Sequence, residues 1–188
     1  MNRILFIPWF VYIESDFDFL KEYWVLFLES EKLSKELIID ADLIIAHSLW
    51  CLELSLFILE NWMIEELKDK VIHYNPIVEN NLLKIAFFRF FSKKMFFTTK
   101  WLRLVIRFWK LVFTKFSYVY KSLKFLAWKD KFEIISIYSK FKNIYLSRND
   151  CFSKKYSNQI NAVKDIHWEH DEIYFNKNTI KTLIDNAK

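Results

Sequence analysis

Ser48, Asp150 and His170 follow one another along the chain in an order that suits nucleophilic catalysis. A serine hydroxyl is a weak nucleophile until a histidine takes its proton. A carboxylate then fixes the tautomer of that histidine and supports its positive charge. Each of the three stands a short way beyond an apolar run that reads as a strand: residues 42–46, 143–147 and 161–166. If those strands are parallel, all three side chains come to one edge of a sheet, the edge at which open α/β sheets bind ligands. Around Ser48 an isoleucine-rich run meets His47-Ser48 and passes directly into a helix-period pattern over 49–60. A strand that turns sharply into a helix lifts the serine hydroxyl above the sheet. It also sets the helix N-terminus, with its open N–H groups and positive dipole end, beside that hydroxyl.

Each assignment has a plainer competitor. Serine at a helix start is most often an N-cap. Asp150, in Arg148-Asn149-Asp150, could be a turn residue, and His167 competes with His170 as the base. His170 is preferred because it lies farther past its strand, which leaves the loop room to fold back over Ser48. His47 reads as structural or pocket-lining, His73 as a core histidine in mid-strand, and Cys51 and Cys151 as packing residues.

The elements that must position these groups alternate. Residues 2–8 read as a buried strand ended by Pro8, 16–23 as a helix, 25–28 as a strand, and 30–39 as a helix. The elbow strand and helix follow, and 71–75 is a strand ended by Pro76. Alternation of β and α with short connections predicts a mostly parallel sheet with helices on both faces. Strands resume at 143–147, then come a short helix over 154–159, the strand 161–166 and a closing helix over 178–186. The boundaries drawn are 1–78 with 142–188 as the core, and 79–141 as a long helical insertion.

The insertion differs in charge from the rest. The chain has 28 Lys/Arg and 23 Asp/Glu; twelve of the former and none of the latter lie within 80–129, leaving 16 against 23 elsewhere. A basic, aromatic helical segment in an acidic body has three readings: a lid with its cations in water, a face for an acidic protein such as an acyl-carrier protein, or a face for an anionic membrane. No motif supports nucleic acid. With 188 residues and two unpatterned cysteines, the expectation is a single cytoplasmic core of ample size, with no metal, no cofactor and no disulfide framework. Residues 1–13 are apolar with one Arg, but an acidic Glu14-Ser15-Asp16 follows where a cleavage site would stand, so a first strand is preferred to a signal peptide.

Over residues 4–76 and 143–188 the chain resembles the α/β-hydrolase superfamily, specifically its small members. The motif Ala46-His47-Ser48-Leu49-Trp50-Cys51 looks like the Ala-His-Ser-Leu-Gly-Cys elbow of some small serine hydrolases, and His170-Asp171 sits where such proteins carry the catalytic histidine. The resemblance implies an oxyanion hole from the backbone N–H groups near Phe10, in Pro8-Trp9-Phe10, and at Leu49. It implies an ester or thioester substrate with an apolar acyl part. An alternative from another class is an inactive hydrolase-like binding protein that works through the basic insertion.

One departure runs through the whole chain. Glycine is absent, where about thirteen would be expected at the usual rate of roughly 7%. Trp9 and Trp50 stand where the family favours glycine, Trp168 falls in a turn, and Trp24 and Trp62 fall where a helix would close on a glycine. Two readings follow. Either the chain is a diverged, low-glycine sequence with a reshaped elbow, or UGA codons that the source organism reads as glycine stand here as tryptophan.

Overall fold

The computed structural model describes residues 3–8, 20, 25–27, 33–81, 102, 105–107, 109–110, 113, 116–147, 150, 153–164 and 177–186. It is an α/β structure. Strands β1 (Ile4–Ile7), β2 (Val25–Phe27), β3 (Leu43–His47), β4 (Val71–Tyr74), β5 (Asn143–Leu146) and β6 (Val163–Lys164) form one sheet in the order β2-β1-β3-β4-β5-β6. Every pairing is parallel. The helices are α1 (Lys35–Ile39), α2 (Leu49–Glu60), α3 (Ile64–Leu67), α4 (Phe116–Trp128), α5 (Lys131–Tyr138) and α6 (Lys177–Asn186), with a 3-10 turn over Lys154–Tyr156.

Burial follows strand order. The central strands β1, β3 and β4 are buried at every residue, as expected of strands covered on both faces. Edge strand β2 leaves Leu26 exposed, and β5 alternates buried with half-buried positions. Helix α2 buries Leu49, Trp50, Cys51, Leu52, Leu54, Ser55 and Ile58, so it is enclosed on most of its circumference. Arg3 and Asp42 lock the amino ends of β1 and β3: Arg3 N–H donates to Asp42 Oδ2 at 2.8 Å, and Asp42 N–H to the Arg3 carbonyl at 2.9 Å.

Some elements differ from the sequence expectation. The second helix begins at Lys35, not at residue 30, because Ser34 is extended and its hydroxyl accepts from Leu37 N–H at 3.3 Å, a local N-cap. The helix expected over 154–159 is a single 3-10 turn. Helix α3 was not foreseen; four residues are too few to show a period. The helix expected over 16–23 lies outside the described residues apart from Leu20.

The chain forms two compact units, Met1–Val78 with Ile134–Lys188, and Glu79–Glu133. The division falls within α5, whose Ile134, Ile137 and Tyr138 are buried in the first unit, Tyr138 against His73 with ring centroids 5.5 Å apart. In the second unit Glu79 is buried; it accepts from Asn81 N–H at 3.2 Å and pairs with Lys131 at 3.4 Å. Among the described residues no helix is long and apolar enough to cross a membrane.

Candidate active site

The order β2-β1-β3 places a topological switch point between β1 and β3. From β1 the chain crosses outward to β2, then returns past β1 to build β3 on the other side. A reversal of this kind, at the carboxyl ends of β1 and β3, is the usual ligand position in such sheets. Ser48 is the residue that follows β3 at this point.

The backbone of Ser48 is strained. Its φ is 61° and its ψ −126°, outside the left-handed helical well that asparagine and glycine share. The conformation follows from the corner itself: within one residue the chain must leave β3, donate Ser48 N–H to the Tyr74 carbonyl at 3.1 Å, and start α2. Such strain costs on the order of 1–3 kcal/mol and persists only where the surroundings enforce it, most often at functional sites. The Ser48 side chain makes no capping bond to the first turn of α2, so the capping role does not account for it. Leu49 is the first residue of α2, and its N–H has no acceptor within the helix. Phe10, the other residue expected to line an oxyanion hole, lies outside the described residues.

Asp150 comes to the same edge. It is buried, four residues beyond a β5 end that a polar network ties to β4. Asn75 Nδ2 donates to Ser147 Oγ at 2.7 Å, Ser147 N–H donates back to Asn75 Oδ1 at 2.6 Å, and Asn75 N–H donates to the Tyr145 carbonyl at 2.8 Å. The Tyr74 and Ser147 hydroxyls share a bond of 3.1 Å. Asp150 Oδ1 accepts from Ser153 N–H at 2.7 Å; the Ser153 hydroxyl donates to the Pro76 carbonyl and accepts from Val78 N–H. Asn75, Pro76 and Val78 after β4 are thereby tied to Ser147 and Ser153 after β5, and Asp150 is held through Ser153.

A further observation connects Asp150 to the elbow. The Cys51 thiol, one turn into α2, has its pKa pushed well up, first by burial and in smaller part by the Asp150 charge. The carboxylate thus acts electrostatically on the turn that Ser48 opens. Strands β3 and β5 are separated by β4, about 10 Å between their axes, so a third group is needed to relay a proton. His170 and His167, the two candidates, lie outside the described residues. Among the described residues no cluster of His, Cys, Asp and Glu could hold a metal ion.

Asn75, Ser147 and Ser153 were not singled out in the sequence. Only Asn75 carried a signal, as Asn before Pro at a strand end; it adopts φ 48°, which asparagine tolerates. Asn75→Ala removes the amide that satisfies Ser147 and places a Cβ without a compensating bond at positive φ. Urea unfolding should show a loss of about 2–4 kcal/mol.

His73 is a buried core residue, as its mid-strand position suggested. Ser55 donates its hydroxyl proton to the Cys51 carbonyl at 2.6 Å, so it accepts from His73 Nε2 at 3.0 Å; Nδ1 is the bare nitrogen and has no hydrogen-bond partner. Burial lowers the His73 pKa to about 3. The unfolded chain then binds a proton that the folded chain refuses between pH 3 and 6.5. This stability is fully present above pH 6.5 and is lost on acidification through that window, at up to about 1.4 kcal/mol per pH unit. His73→Gln should flatten the pH dependence of the unfolding free energy between pH 6.5 and 4 by one proton.

In the second unit, several exposed apolar residues are helical and recur at helical spacing. Leu102, Ile106, Trp109 and Phe113 are each more than half exposed, and all are helical at spacings of four, three and four. Lys124 lies over the Trp128 ring at 4.5 Å, and Lys129 pairs with Glu133. Comparison with protein-family models, with curated proteins and with solved structures finds no match to the chain.

Proposed function

We propose that the chain is a serine hydrolase of α/β-hydrolase type, cleaving an ester or thioester with an apolar acyl group, with the inserted unit as its lid. The observation that supports this most is the strained Ser48 corner at the switch point, with a side chain that does not cap the helix it precedes. In this reading Ser48 Oγ attacks the acyl carbon while His170 takes its proton, and Asp150 holds the imidazole in the required tautomer. The N–H groups of Leu49 and Phe10 hold the oxyanion. Collapse expels the alcohol or thiol, which receives the proton from His170. A water deprotonated by the same base then releases the acid and restores Ser48.

The exposed stripe of the second unit favours a second reading, an inactive protein that docks on an anionic membrane or an acidic protein. One experiment separates the two. A fluorophosphonate probe is expected to label the chain at Ser48, as shown by peptide mass spectrometry and by loss of labelling in Ser48→Ala. An unlabelled protein that cosediments with phosphatidylserine vesicles, and not with phosphatidylcholine vesicles, would replace the hydrolase by the docking module.

A further inference from the structure

Four described residues have positive φ: Ser48, Trp62, Asn75 and Asn161. Two are asparagine, the side chain that best tolerates this region after glycine, and one is the elbow serine. The fourth is a tryptophan at φ 60°, where a bulky residue is an outlier.

Its surroundings define what the position requires. Helix α2 ends at Glu60 with Asn61 as C-cap. Trp62 N–H donates to the Leu59 carbonyl at 3.1 Å, and Met63 N–H to the Ile58 carbonyl at 3.0 Å. These paired bonds are the Schellman closure, whose residue after the cap is left-handed and usually glycine. Met63 and Ile58, the apolar positions that usually pair in this closure, are both buried. The indole contributes nothing to offset the strain, since Trp62 is 92% exposed. Trp109 and Trp128 are also more than half exposed, so three of the four described tryptophans lack the burial usual for that side chain. The chain that uses tryptophan in this way has eight of them and no glycine.

We propose that the tryptophans of this sequence are glycine in the working protein, encoded by UGA codons, which some genetic codes read as glycine and others as tryptophan. The assignment at position 62 stands on backbone geometry alone. At position 50 it rests on the hydrolase reading. The small-x-Ser-x-small elbow then has Ala46 on one side of Ser48 and glycine on the other, where the sequence as written buries an indole in the first turn of α2. The exchange leaves Leu102, Ile106 and Phe113 on the exposed stripe and removes its one indole.

The test is the tryptic peptide spanning residues 36–68 from the protein isolated from its source, together with the coding DNA. The expected result is UGA at positions 50 and 62 and a peptide lighter by two exchanges of tryptophan for glycine. UGG codons, or a mass that matches tryptophan, overturn the proposal. An independent measurement uses the chain as written. Trp62→Gly should raise Tm by about 2–8 °C, Trp62→Asn by less, and Trp62→Ala least. Equal gains in all three would show that only the bulk of the indole matters and would count against glycine. Trp50→Gly should raise ester turnover on the order of 10²-fold. Failure of the hydrolase reading is distinguishable: a peptide with glycine at both positions from a protein that no fluorophosphonate labels would reject the enzyme and leave the glycine assignment intact.

Discussion

Ser48→Ala is expected to abolish turnover of short p-nitrophenyl esters, lowering kcat by about 10⁴- to 10⁶-fold, while the unfolding free energy should change by less than about 0.5 kcal/mol. The two halves of this result come from the same geometry. Ser48 makes no capping bond, so removing its hydroxyl takes no N-cap from α2. Alanine keeps a Cβ, so the strain at φ 61°, ψ −126° stays. A serine that served as an N-cap would behave oppositely: alanine there costs about 1 kcal/mol and leaves the rate alone. Ser48→Gly completes the argument, because it relieves the strain as well. That variant should be inactive yet more stable than the parent by about 1–3 kcal/mol. That pair of results would mean that the corner holds its strain for the serine side chain and not for the stability of the fold. Full turnover in Ser48→Ala would reject the nucleophile.

Much of the sheet that carries the candidate site could be read before any geometry because the central strands are nearly pure apolar runs. Ile4–Ile7, Leu43–His47 and Val71–Tyr74 are buried on both faces, so their hydrophobicity announces both strand and parallel sheet. Helix α2 was readable from end to end, since its start is a serine corner and its apolar residues continue without interruption. The ties behind Asp150 were not readable. Asn75 meets Ser147, and Val78 meets Ser153, across more than 70 residues of sequence, and a polar residue that will find a buried partner looks the same as one bound for solvent. The left-handed turn at Trp62 was readable only as a helix end short of a glycine; its φ and its two closing bonds make the mismatch physical.

Asp150→Asn separates holding a loop from orienting a base. Asp150 Oδ1 accepts from Ser153 N–H at 2.7 Å, and an asparagine carbonyl can accept the same bond, so the Ser153–Pro76–Val78 tie remains and stability changes by less than about 1 kcal/mol. What disappears is the negative charge. In the proposed triad the histidine could then take the tautomer that cannot accept the serine proton, and its cation would lose support. The expected fall in kcat is about 10⁴-fold, with KM little changed, because in the proposed triad the carboxylate acts through the histidine. Asp150→Ala should show the same loss of rate plus about 1–3 kcal/mol of stability, since Ser153 N–H is then left buried without an acceptor. The Cys51 thiol reports the charge independently. Its pKa should fall in Asp150→Asn, because the Asp150 carboxylate is one of the causes that raise it. If that pKa falls while kcat is retained, Asp150 carries charge to the elbow without serving the reaction, and the triad as assigned is wrong at its acid.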